Sequence, residues 1–139
     1  MPVHPDALDA AARRIGDRWS LRIVGVLLGG GRTFGELAGQ LDGIAPTILT
    51  ARLRALQATA VVAATPYERR PLRMRYSLTE PGRRLGAAIA TLAEWGASRE
   101  HDAARPVHRT CGTPLETRPW CRTCDRPADD EAGDELIWC

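Results

Sequence analysis

The residues best equipped for chemistry lie toward one end of the chain. Four cysteines, Cys111, Cys121, Cys124 and Cys139, fall within the last 29 of 139 residues, and the part before them has none. Two residues separate His108 from Cys111, and two separate Cys121 from Cys124, with nine between the pairs. A two-residue gap lets both side chains turn toward one ion, and thiolate with imidazole at tetrahedral distance suits zinc. The pattern predicts a structural Zn2+ held by His108, Cys111, Cys121 and Cys124, with Cys139 as the alternative fourth ligand. A segment of about 30 residues with few large apolar side chains folds poorly without such a staple. A disulfide, a reversible redox switch and a tail without any ligand are the competing readings. Four candidate protein ligands leave no open coordination position, so the zinc is expected to be structural rather than catalytic. The run Asp129, Asp130, Glu131 reads as a solvated face, and Trp138 as a packing contact.

The second set of candidates is basic. All 19 basic residues are arginines, and the net charge of +2 divides unevenly. Residues 1–105 carry 15 arginines against 10 acidic residues, whereas residues 106–139 carry 4 against 7. This is the balance of a body that faces a polyanion and ends in an acidic tail. Arg69, Arg70, Arg73 and Arg75 form the densest basic group. Pro46, Thr47, Thr50, Ala51, Arg52 and Arg54 sit on one short segment whose leucines point the other way. Small polar side chains allow close approach to base edges, and arginines reach phosphates. Enzyme chemistry is not expected, because the three histidines are scattered and no nucleophile–base arrangement or phosphate loop appears. No apolar run approaches the roughly 20 residues of a bilayer span, and the first residues lack a secretory pattern, so the expected location is cytoplasmic.

These groups must be held by a small mainly α scaffold with a β-hairpin, an α+β class. Leu8, Ala11, Ala12 and Ile15 recur at helical spacing. Ser20 is the expected N-cap of a second helix, with Ile23, Val24, Leu27 and Leu28 on its apolar stripe and the glycines at 29–31 ending it. Thr33 and Glu36 have capping-box spacing before Phe34, Leu37 and Leu41. Asp42-Gly43 then turns the chain into a helix begun by Pro46, with Leu49, Leu53 and Leu56 inward. Val61–Ala64 reads as a strand, Pro66–Pro71 as a loop, and Leu72, Met74 and Tyr76 alternate with Arg73, Arg75 and Ser77 as a second strand. Thr79 caps one long final helix in which Leu85, Ile89, Leu92 and Trp95 form a stripe larger than a small core needs. The expected division is 1–102 for the main domain and 103–139 for linker and tail, with 103–106 as the linker; no internal repeat is apparent.

Helix, helix, helix-turn-helix, basic hairpin and long helix is the order of a winged helix-turn-helix. Ile15-Gly16-Asp17-Arg18-Trp19-Ser20, Phe34-Gly35-Glu36-Leu37, Gly43-Ile44-Ala45-Pro46 leading into Leu49–Leu56, and Tyr76-Ser77-Leu78-Thr79 with Gly82 carry a specific resemblance. The chain resembles the HxlR-type winged helix-turn-helix transcriptional regulators, related in fold to the MarR group, over roughly residues 8–97. The resemblance implies a homodimeric repressor or activator of double-stranded DNA, paired through its first and last helices and reading an inverted repeat. A small-molecule effector is compatible with it. Many relatives carry a cysteine about ten residues before the Gly-x-x-Trp segment, where this chain has Asp6, so thiol sensing at that position is excluded. Ala45 stands where relatives often have Ser, which removes the usual hydroxyl cap. Relatives with zinc-ribbon-like tails show His-x2-Cys-Gly, which favours His108 over Cys139. The alternatives are a protein-interaction module that docks a partner through the acidic, zinc-bound tail, or a thiol or metal sensor.

Overall fold

The computed structural model describes residues 4–99, 107–116 and 118–128. Cys139, Trp138, the 129–131 acidic run and the expected linker at 103–106 lie outside the described residues. The chain divides into two compact units, Ala10–Ile89, and Met1–Asp9 with Ala90–Cys139. The helices are α1 (Pro5–Ile15), α2 (Arg18–Leu28), α3 (Phe34–Gln40), α4 (Pro46–Ala58), α5 (Glu80–Arg84) and α6 (Gly86–Arg99). The strands are β1 (Arg32–Thr33), β2 (Val62–Arg69), β3 (Leu72–Leu78), β4 (Trp120–Cys121) and β5 (Arg126–Pro127).

The core of the first unit is assembled from the stripes that helical spacing places inward. Ile23, Val24 and Leu27 of α2, Leu37 of α3, Leu49, Leu53 and Leu56 of α4, and Leu41, Val61, Val62 and Leu78 form one buried cluster. Each fully buried leucine contributes on the order of 1.5–3 kcal/mol by leaving water. Local chemistry starts the helices as expected for α3: Thr33 N–H donates to Glu36 Oε2 at 2.7 Å and Glu36 N–H to Thr33 Oγ1 at 3.3 Å, a complete capping box. Gly43 turns α3 into α4 with a φ of 81°, a left-handed conformation that a side chain would disfavour. Pro46 opens α4, and Ala45 supplies no side-chain cap, as expected.

Several expectations are corrected. Ser20 is not a cap: Asp17 accepts the N–H groups of Trp19 and Ser20, each at 3.0 Å, so α2 begins at Arg18 and Ser20 is buried inside it. The segment after Ala64 is not a loop, because β2 continues to Arg69. Pro66 is tolerated there since β2 is an edge strand, in the sheet order β1-β3-β2, with a bulge between Pro66 and Glu68. β1 was not foreseen; its two residues pair antiparallel with Tyr76 and Arg75 of β3. The final helix is two helices. Thr79 caps the short α5, a tightened Leu85 N–H to Gly82 carbonyl bond of 3.1 Å closes it, and α6 restarts at Gly86. The break lets both Leu85 and Ile89 pack on the core.

In the second unit, the tail carries two small antiparallel pairings. Trp120 and Cys121 of β4 face Pro127 and Arg126 of β5, and Val107 bridges to Pro114.

Candidate nucleic-acid interface

The Ala10–Ile89 unit presents α4 and the β2–β3 hairpin as its basic features. Leu49, Leu53 and Leu56 anchor α4 at no more than 2% exposure, which turns Pro46, Thr47, Ala51 and Arg54 to the exposed side. Ile48 joins that surface at 39% exposure. Thr50 is half-buried, and its hydroxyl donates to the Pro46 carbonyl at 2.9 Å, so only its lone pairs remain for a partner.

Arg52 has a different environment from the one its spacing suggests. It is half-buried, with Nε 3.3 Å from Asp17 Oδ1, the same oxygen that caps α2. One carboxylate therefore ties the start of α2 to the middle of α4. Burial works to raise the Asp17 pKa. The hydroxyl and N–H of Ser20, the Arg52 charge and the Trp19 N–H outweigh it and hold the group below the ordinary carboxylate value.

The hairpin arginines also divide. Arg69 and Arg70 stand exposed at its tip. Arg73 pairs with Glu68 at 3.2 Å, and its pKa is raised by a hydrogen bond to Tyr67 and by the Glu68 charge. Arg75 donates to the Gly31 carbonyl at 3.0 Å, lies 4.0 Å from Glu36 and sits 5.6 Å over the Tyr67 ring, so it fastens the hairpin to the loop before β1. Sequence reasoning missed a further basic group: the Arg18 and Arg22 guanidinium carbons lie 4.5 and 5.1 Å from the Trp19 ring centroid, within cation–π range. The i, i+3 spacing of Trp19 and Arg22 was the available signal.

The candidate metal ligands stand as two pairs. His108 Nδ1 lies 3.2 Å from Cys111 Sγ, and Cys121 receives hydrogen bonds from Cys124 and the Thr123 N–H. The hydroxyl and N–H of Thr113, followed by His108, lower the Cys111 pKa to about 7. The backbone and thiol of Cys124 are the main cause of the lowered Cys121 value. Among the described residues no three His, Cys, Asp or Glu side chains are grouped to hold a metal ion. No described helix is long and apolar enough to cross a membrane.

Known proteins share this layout. Residues 14–103 match the family described as HxlR-like helix-turn-helix. An uncharacterized HTH-type transcriptional regulator of Mycobacterium tuberculosis is 37% identical over 123 residues, covering 86% of this chain and 77% of the relative. The structure of the redox regulator HypR in its reduced form superposes with a TM-score of 0.65 at 30% identity, covering 68% of this chain and 95% of that one. The reduced form of the transcriptional regulator YodB from Bacillus subtilis gives 0.60 at 26%, covering 74% and 99%.

Proposed function

The chain belongs to the HxlR-like helix-turn-helix family of DNA-binding transcriptional regulators, and on that premise we propose that it acts as a homodimer that reads an inverted repeat with α4. The observation that carries this reading is the two-sidedness of α4: three leucines sealed in the core and Thr47, Ala51 and Arg54 outward, near an arginine-bearing hairpin. Thr47 and Ala51 are small enough to let the helix approach base edges, while Arg54, Arg69, Arg70 and Arg73 supply phosphate contacts that position the protein. Thr50 contributes acceptor lone pairs. Arg52 and Arg75 serve to hold α4 and the hairpin in place. Dimerisation is supported by exposed apolar side chains on the first and last helices, with Leu8 59% and Leu92 51% exposed. Two copies would place paired helices about one DNA turn apart.

The test is polarisation binding to the DNA upstream of its own gene, with a salt titration, alongside sedimentation of the free protein. Expected are a dimer and an affinity that falls steeply with salt. Absent or salt-insensitive binding would sink the DNA reading, and a monomer at binding concentrations would sink the inverted-repeat reading. HypR carries the description redox regulator. This chain has no cysteine before Cys111, so any thiol response here would belong to the tail.

A further inference from the structure

Contrary to the expectation of no internal repeat, the tail contains a short one. Residues 106–114, Pro-Val-His-Arg-Thr-Cys-Gly-Thr-Pro, align with residues 119–127, Pro-Trp-Cys-Arg-Thr-Cys-Asp-Arg-Pro, at an offset of 13 residues and with five of nine positions identical. The described residues repeat the backbone as well. Val107 bridges Pro114, and its counterpart Trp120 pairs with Pro127. The His108 N–H donates to the Thr113 carbonyl at 2.8 Å, and the equivalent Cys121 pairs with Arg126. The second donor of each pair is followed by a left-handed residue, Gly112 at φ 73° and Asp125 at φ 52°. In each copy the two donors also contact each other, His108 with Cys111 and Cys121 with Cys124.

In each copy the repeated first and fourth positions are the donor pair, His108 with Cys111 and Cys121 with Cys124. We propose that the two knuckles close on a single tetrahedral Zn2+ through His108, Cys111, Cys121 and Cys124, and that Cys139, which lies outside both copies, is not a ligand. Equivalent loops contribute equivalent pairs, and a tetrahedral ion requires two pairs. His108 Nδ1 and Cys111 Sγ already stand 3.2 Å apart. Ligands bound to one zinc at ordinary Zn–N and Zn–S lengths lie on the order of 3.5 Å from each other, so that pair needs little adjustment. Each of the three thiols releases its proton to solvent as its Zn–S bond forms, and His108 binds neutral. Imidazole with thiolate selects zinc over the hard cations that prefer oxygen. The interval of residues 115–118 is the only chain between the knuckles, and metal binding is the step that orders one against the other.

The full-length protein, purified under reducing conditions, tests this by metal analysis and by replacing zinc with Co2+, whose absorption reports the number of thiolates. The expected result is one metal per chain with a three-thiolate, one-nitrogen spectrum. Cys139→Ser leaves stoichiometry and spectrum unchanged, and Cys121→Ser lowers the affinity by about 100-fold or more, beyond what supporting groups around a metal cost. Because losing a ligand can unfold the tail, His108→Cys is the second arm, and it retains the metal while shifting the spectrum to four thiolates. Metal-free reduced protein, a disulfide joining Cys121 and Cys124 in place of metal, or a spectrum lost with Cys139→Ser overturns the proposal. The outcome is independent of DNA binding.

Discussion

Asp17 joins two elements through one oxygen, and replacing it separates two effects. Asp17→Ala removes the N-cap of α2, which accepts two N–H groups at 3.0 Å, together with the ion pair to Arg52 at 3.3 Å. A lost cap costs about 1 kcal/mol. The ion pair is partly open to water, with the side chains 33% and 42% exposed, so its contribution is discounted to about 0.5 kcal/mol. Asp17→Ala is therefore expected to cost about 1.5 kcal/mol, a fall of roughly 6–12 °C in Tm for a domain of this size. Asp17→Asn keeps a good cap acceptor and loses only the charge, for about 0.5 kcal/mol. The pH dependence follows from the lowered Asp17 pKa. A carboxylate depressed in the folded state stabilises fully above its unfolded pKa, and that stability disappears as pH falls through the folded value. The Asn variant lacks this component. Urea unfolding at fixed protein concentration measures all three, and a double-mutant cycle with Arg52→Gln isolates the pair. Equal destabilisation by Asn and Ala, or zero coupling to Arg52, would refute the shared-oxygen account. So would a salt slope of DNA binding that drops by about one on Arg52→Ala, since that is the mark of a phosphate contact.

Three further outcomes are expected. Leu53→Ala, at a position 2% exposed between α4 and the core, should cost on the order of 2–5 kcal/mol in chemical denaturation. Gly82→Ala would drive a Cβ into the Val61 carbonyl oxygen, where backbone cannot yield cheaply, and should destabilise by about 1–3 kcal/mol or more in the same assay. Arg69→Ala with Arg70→Ala should weaken binding to all DNA sequences and reduce the salt slope, whereas Thr47→Ala should alter preference among sequences, as read by polarisation on an operator and a scrambled duplex.

The legible part of this molecule was its local part. The Thr33–Glu36 capping box, the Pro46 start, the Gly43 turn and the inward leucines of α4 each depend on residues within about one or two helical turns of each other, where spacing alone sets geometry. The Ser20 misreading shows the limit of that approach. Asp17 and Ser20 are both good cap types three residues apart, and burial of the serine beside the α2 stripe decided between them. The 13-residue repeat was visible in the sequence. Four of its nine aligned positions differ, the first donor and the residue after the second donor among them, and the likeness of the two copies rests as much on their matching pairings and left-handed residues.

Sequence by itself determined the winged helix-turn-helix order, the apolar faces, the basic hairpin and the spacing of the candidate metal donors, because those properties reside in period and composition. Tertiary structure decided which arginines remain available. Arg52 and Arg75 look equivalent to Arg54 and Arg69 in sequence, yet they meet Asp17 and Gly31, which are 35 and 44 positions away along the chain. Contacts between residues so far apart arise only when the core brings α2, α4 and the sheet together. An arginine's role as anchor or as phosphate contact is then set by which acceptor the fold places within its reach.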